Sequence, residues 1–214
     1  GSADAETALA MAACISHRGP DGHGGFYDEF EHGSVAFGHA RLSIVDLEGS
    51  PQPIGSDHGA VLVQNGEIYN QSELRARCNT YPWRTSGDSE TILAMHREAN
   101  TAASTPSDNP ADDHAGWVSR LDGMWGFAIW DPQRRELLLC RDPLGVKPLM
   151  RTLLPDGTLL FASEVKAFHA HPEFYPRPDV DALAIRLAYE YPLDMTTLFR
   201  DVTQVAPGTV ESWS

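Results

Sequence analysis

The sequence predicts a layered α+β fold with largely antiparallel sheets, and three observations carry that expectation. Helical segments with one-sided apolar spacing are interspersed with short apolar strands. Hairpin signals recur too often for a simple βαβ array. Apolar residues make up 42% of the 214 residues against 21% charged, enough material for a packed core in one domain or two small ones.

Gly1-Ser2 reads as an expression scar. From about Glu6 to Ser16, Leu9, Ala12, Ala13 and Ile15 share one side of a short helix. The run His17-Arg18-Gly19-Pro20-Asp21-Gly22 stops it, and Gly22-His23-Gly24-Gly25 reads as a flexible loop. Ser34–His39 and Ala60–Gln64 read as strands; Val61-Leu62-Val63 is continuously apolar, as in a strand covered on both faces. Asn65-Gly66 follows at once and in isolation signals a hairpin. Asn70 with Glu73 marks a helix start, so strand, Gly turn and helix is the more consistent reading. A second helix runs from about Asp88 to Glu98, with Ile92, Met95 and Ala99 on one face. Asn100–His114 has almost nothing to bury and reads as a mobile surface insertion. Met124–Trp130 and Glu136–Cys140 form a hairpin around Asp131–Arg135. Strands at Leu149–Leu153 and Thr158–Phe161 precede a helix at Ser163–Phe168. There is no internal repeat.

Charge and cysteine usage exclude several classes. Acidic residues outnumber basic ones 30 to 16, a formal net charge of −14, which argues against a nucleic-acid or anionic-membrane partner. No apolar run approaches the roughly 20 residues of a membrane span, and the N-terminus lacks a signal-peptide layout. The 3 cysteines, Cys14, Cys78 and Cys140, are widely spaced and unpaired in sequence. That pattern suits neither a disulfide framework nor a thiolate metal site, and the chain reads as a soluble cytoplasmic protein.

Among chemical motifs, the 9 histidines include His169-Ala170-His171 but no zinc-binding spacing. No phosphate-binding glycine loop is present, so neither metal nor nucleotide is expected in this domain. Asn65-Gly66 can be read as a tight turn or as two donors, a side-chain amide and a backbone N–H, aimed at one oxyanion. Arg41, flanked by apolar residues, is placed to grip a carboxylate in bidentate fashion. Asp88 is either an ordinary helix cap or a carboxylate for a substrate ammonium group. Local chemistry leaves these alternatives open.

Taken in order, the segments HRGPDG (17–22), GHARLSIVDLEGSPQP (38–53), QNGEIYN (64–70), SGDSETIL (86–93), LDGMWGFAIWD (121–131), RDPLGVKPL (141–149) and LLFASEVKA (159–167), with TLFRDV and a later APG, resemble the glutaminase domain of glutamine-dependent asparagine synthetases. That family comprises class II amidotransferases of the N-terminal-nucleophile hydrolase type. The resemblance implies a four-layer αββα sandwich of two antiparallel sheets over residues 3–208, with 209–214 as a tail. It implies an oxyanion hole of Asn65 and Gly66, an Arg41 clamp on the α-carboxylate of glutamine, and Glu67 and Asp88 at its α-ammonium end. Glutamine and a synthetase domain of the same full-length protein are the implied partners, with a homodimer allowed. ATP and Mg are expected in that synthetase domain.

The departure from the family concerns the nucleophile, a cysteine at the mature N-terminus whose α-amine serves as base. This chain opens Gly-Ser-Ala-Asp-Ala. Cys14, inside a helical pattern and without a free amine, reads as a small apolar residue. The expectation is therefore truncation at both ends: the nucleophile strand and the synthetase domain lie outside, and the chain alone hydrolyses no glutamine. The alternatives are a non-catalytic structural domain, as in β-lactam synthetases, and a free-standing binding protein.

Overall fold

The computed structural model describes residues 2–42, 51–102 and 110–214. Along the chain run α1 (Ala5–Cys14), β1 (Gly22–Phe30), β2 (Gly33–Arg41), β3 (Ile54–Gly55), β4 (Val61–Ile68), α2 (Gln71–Arg77), α3 (Ser89–Ala102) and α4 (Pro110–Val118). There follow β5 (Gly123–Asp131), β6 (Glu136–Arg141), β7 (Met150–Leu153), β8 (Leu159–Ala162), α5 (Val180–Tyr189), β9 (Val202–Gln204) and β10 (Val210–Trp213). The strand pairings are antiparallel in all three sheets. The chain divides into two compact units, Gly1–Leu42 with Pro148–Ala206 and Ser43–Lys147 with Pro207–Ser214.

In the first unit the Asp4 carboxylate accepts the Thr7 N–H at 2.7 Å and starts α1. Ala8 and Ala12 are its buried residues. The helix comes so close to β2 that a Cβ on Gly38 would stand 2.0 Å from the Ala8 carbonyl oxygen. The expected loop at Gly22–Gly25 is instead the start of β1, paired with β2 through Gly24↔His39 and Gly25↔Gly38. Three glycines in four residues remove the side-chain alternation by which a strand is recognised, while the backbone ladder forms regardless. The sheet β8-β7-β9 buries Leu160 and Val202 together with Leu154 and Phe168. The helix expected at Ser163–Phe168 is a 3-10 helix over Val165–Ala170.

The second unit is built on the five-stranded sheet β10-β6-β5-β4-β3. Register places Leu62 opposite Ile129 and Ile129 opposite Leu138, so all three project from one face. Their core also takes Leu74 of α2, Ile92 and Met95 of α3, and Trp117 of α4. The strand expected to stop at Gln64 continues through Asn65-Gly66 to Ile68, paired with β5 throughout. Residues 210–213, expected in a tail, form β10 and pair with β6. Of the expected insertion, residues 103–109 lie outside the described residues, as do Ser43–Ser50 of the second motif. The ends of that insertion are helical instead: α3 runs to Ala102, α4 starts at Pro110, and His114 of α4 is buried.

His114 belongs to a buried polar network. Trp117 Nε1–H donates to its Nδ1 at 3.2 Å, and an indole nitrogen only donates. The His114 proton therefore sits on Nε2, which donates to Glu136 Oε2 at 3.0 Å. Burial alone would raise the Glu136 carboxyl, but hydrogen bonds from His114 and Ser212 outweigh it and hold the group at about 2. The His96 ring stacks on His114 at 5.8 Å. Burial pulls His96 down to about 4, against the raising influence of the Asp131 carboxylate 3.6 Å away, with His114 and Arg134 lowering it and Glu136 raising it. An unfolded histidine accepts a proton near 6.5 that the folded one refuses until about 4. Stability is thus complete above pH 6.5 and falls by on the order of 3 kcal/mol as the pH drops to 4. Denaturant unfolding at a series of pH values measures this, and His96→Gln flattens the slope. An unchanged slope would assign the effect to other groups, such as His39, which burial also lowers to about 4.

Candidate functional site

The sequence motif QNGEIYN lies along β4, and the edges of that strand determine what it can offer. β5 borders β4 along its whole length, whereas β3 borders it only at Val61 and Leu62. Successive backbone N–H groups of a strand alternate between its two edges. On the edge beyond β3, the Gln64 N–H donates to Gln52 Oε1 at 2.6 Å. The Ile68 N–H donates to Asp88 Oδ2 at 2.8 Å. Parity puts the Gly66 N–H on this same edge, between two donors that side chains have capped. Gly66 has φ +156, and a Cβ there would lie 2.2 Å from the Met124 carbonyl oxygen. Only glycine fits this approach to β5.

Asn65 and Glu67 are half-buried on β4, projecting from the face opposite the one carrying Leu62, Gln64 and Ile68. The end of the motif is tied down by Asn70, whose amide donates to the Arg120 carbonyl at 2.9 Å and accepts the Asp122 N–H at 3.0 Å.

Asp88 is buried directly before α3. Its Oδ2 also accepts Gln64 Nε2–H at 3.2 Å, so this carboxylate oxygen braces β4 rather than capping its own helix. The loop leading to it is fastened from two sides. Glu90, with no exposed surface, accepts from the Arg84 and Thr85 N–H groups at 2.9 and 2.7 Å and from the Thr85 hydroxyl at 2.8 Å. Arg75 donates to the Thr85 and Gly87 carbonyls at 3.0 and 2.8 Å while lying 4.1 Å over the Trp83 ring. Gln52 completes the brace through its Nε2–H, 3.1 Å from Ser89 Oγ. Structure therefore brings Asn65, Gly66, Glu67 and Asp88 to one strand and the helix start beside it.

Sequence reasoning singled out none of Gln52, Gln64, Arg75 and Glu90. Their bonds are to partners scattered along the chain, largely backbone atoms, and no residue spacing announces such bonds. Asp142 escaped for the same reason. Its buried carboxylate accepts the N–H groups of Val146, Lys147, Leu144 and Trp125 at 2.9, 3.0, 3.1 and 3.3 Å. Burial would raise this group, yet those backbone donors hold it below the usual carboxylate range. Arg141, paired through Gly126 to Asn65, donates to the Lys147 and Gly145 carbonyls at 2.9 Å. The RDPLGVKPL loop is thus anchored to the same stretch of sheet.

Arg41 closes β2 in the first unit, paired with Gly22, and its carbonyl accepts the Asp21 N–H at 3.0 Å. There the HRGPDG and SEVKA motifs meet: His17 and Arg18 each lie 3.1 Å from Glu164 Oε1.

None of the three thiols is prepared as a nucleophile. Cys14 is exposed at the end of α1 with its nitrogen in a peptide bond. Burial and a hydrogen bond to Glu98 push Cys78 up to about 12. Cys140 is wholly buried in the sheet core, and desolvation raises it well above an ordinary thiol. Among the described residues no three His, Cys, Asp or Glu side chains converge as a metal site requires, and no helix is long and apolar enough to cross a membrane.

The fold is shared with a solved amidotransferase: glutamine phosphoribosylpyrophosphate amidotransferase from B. subtilis superposes with a TM-score of 0.61 over 97% of this chain and 46% of that one, at 18% identity. The family described as glutamine amidotransferase domain matches residues 1–214, and the chain belongs to it. It is 38% identical over 165 residues to glutamine-hydrolyzing asparagine synthetase 2 of Bacillus subtilis, covering 76% of this chain and 19% of that protein. It is 36% identical over 219 residues to a putative glutamine-hydrolyzing asparagine synthetase of Mycobacterium tuberculosis, covering 96% of this chain and 31% of that protein. The chain thus spans less than a third of the length of either relative.

Proposed function

We propose that this chain is the glutamine-hydrolysing part of an asparagine synthetase-like cytoplasmic enzyme. The β4 edge supports the reading: the edge N–H groups of Gln64 and Ile68 go to Gln52 and Asp88, and the Gly66 N–H lies between them on that edge, next along the chain to the Asn65 amide. Two rigid donors at one point are what the oxyanion of an acyl-transfer intermediate needs. Arg41 grips the α-carboxylate of glutamine, and Glu67 and Asp88 orient its α-ammonium group.

The family resemblance implies a cysteine thiolate at a mature N-terminus as nucleophile; Cys14, Cys78 and Cys140 are each unsuited to that role, so we place it outside these 214 residues. The thiolate adds to the side-chain carbonyl carbon, and the negative oxygen rests against Asn65 and Gly66. The C–N bond then breaks, and the leaving nitrogen takes a proton and departs as ammonia. Water hydrolyses the thioester, giving glutamate and the free thiol. Ammonia passes to a synthetase part that uses ATP and Mg; this chain's own residues bind glutamine and stabilise the oxyanion.

The 214-residue chain on its own releases no glutamate, yet binds glutamine at roughly millimolar concentration by calorimetry. Glutamate release by this chain would overturn the nucleophile assignment. Absence of any binding heat would overturn the pocket and favour a structural, non-catalytic domain.

A further inference from the structure

In the first unit a cleft of about 260 Å³ lies among α5, β7, β9 and the chain that joins α5 to β9. Its apolar wall grows out of the core. Met150, Val165 and Phe199 are half-buried, pack on the cluster of Leu154, Leu160, Phe168 and Val202, and also line the cleft. From α5 come Ala182, Ile185 and Arg186, the i, i+3 and i+4 positions of one helical face. The wall is braced locally: Asp179, the cap of α5, donates its N–H to the Leu198 carbonyl at 2.9 Å, and Pro178 bridges to Phe199. The hydroxyls beside it are committed. That of Thr197 accepts the Phe199 N–H at 3.1 Å and donates to the Val202 carbonyl at 2.9 Å, and that of Thr196 donates to Asp194.

Two features of the lining select a ligand. Arg186 brings a guanidinium that makes no ion pair among the described residues, although acidic residues outnumber basic ones 30 to 16 along the chain. No Asp or Glu among the described residues lines the cleft. A ligand carboxylate therefore finds a charged partner there, whereas a ligand ammonium group finds none. An apolar cavity of about 150 Å³ accepts benzene, so this one has room for a ring with a short acid-bearing side chain. We propose that the cleft binds a small apolar monocarboxylate, an aryl or short aliphatic acid without an amino group. Its acid group meets Arg186, and its hydrocarbon part lies against Met150, Ile185 and Phe199. Glutamine, with its α-ammonium group, does not suit the cleft, so the site is separate from the one proposed for glutamine and does not depend on that reading.

Calorimetry of the 214-residue chain with phenylpropionate, phenylpropionamide and L-phenylalanine tests it, because the three share a ring and differ at the polar end. Phenylpropionate is expected to bind with a Kd of about 0.1–1 mM. The amide and the amino acid are expected to bind about fivefold or more weakly. Arg186→Gln, at an exposed position, brings the acid down to the affinity of the amide. Ala182→Leu extends a side chain into the cleft and weakens acid and amide together. The proposal is overturned if no probe binds, or if the amide or L-phenylalanine binds as tightly as the acid. It is equally overturned if Arg186→Gln or Ala182→Leu leaves the affinity for phenylpropionate unchanged. Saturating glutamine is expected to leave the phenylpropionate isotherm as it was; competition between them would put the acid in the glutamine pocket and remove this site, while failure of glutamine to bind at all bears only on the hydrolase reading.

Discussion

Asn65→Ala lowers the kcat for glutamate release about 10²–10³-fold in protein that carries its cysteine nucleophile. The amide is one of the two donors proposed for the oxyanion, and its removal leaves only the Gly66 N–H. The same substitution changes unfolding free energy by no more than about 1 kcal/mol, the usual scale for a half-buried polar side chain. The combination is diagnostic. Glutamine hydrolysis that survives Asn65→Ala with unchanged kcat removes Asn65 from the chemistry, and a large stability loss would recast it as a structural residue of β4.

Gly66→Ala adds a large structural effect to the loss of activity. A Cβ at this position would stand 2.2 Å from the Met124 carbonyl oxygen and 2.6 Å from the Trp125 Cα, both backbone atoms of the adjoining β5. Neither can yield without disturbing the Asn65↔Gly126 and Gly66↔Trp125 register. The φ of +156 adds conformational strain for any residue with a side chain. We expect a loss of about 2–3 kcal/mol in urea unfolding, with glutamine hydrolysis falling at least as far as in Asn65→Ala because the edge donor moves. A stable, fully active Gly66→Ala protein would mean that β4 and β5 do not approach as described.

Much of the sheet was legible in the sequence, whereas the candidate site residues came from the ordered motifs and the resemblance they carry. The β5–β6 hairpin was readable because its two apolar runs flank a five-residue Asp-Pro-Gln-Arg-Arg turn, a signal contained within the segment itself. Val61-Leu62-Val63 was readable for the same reason. Asn65-Gly66 misled because the dipeptide's local preference is for a turn, whereas pairing with β5 keeps it extended. α5 was not anticipated, although Asp179 caps it and Val180, Leu183 and Leu187 recur at helical spacing. Glu90 stood inside a motif, but nothing around it announced that it would hold the Arg84-Thr85 backbone in place.

The sequence by itself determined the family through ordered motifs, the α+β class through periodicity, and the candidate residues Asn65, Gly66, Glu67, Asp88 and Arg41. Tertiary structure alone decided which backbone donors those residues leave available. Gln52, twelve positions before Gln64 in the chain, caps one edge N–H, and Asp88, twenty positions after Ile68, caps the next but one. Whether an N–H is occupied or open depends on what the folded chain brings to the strand edge. A strand's own residues set its alternation, and its neighbours set its hydrogen bonds.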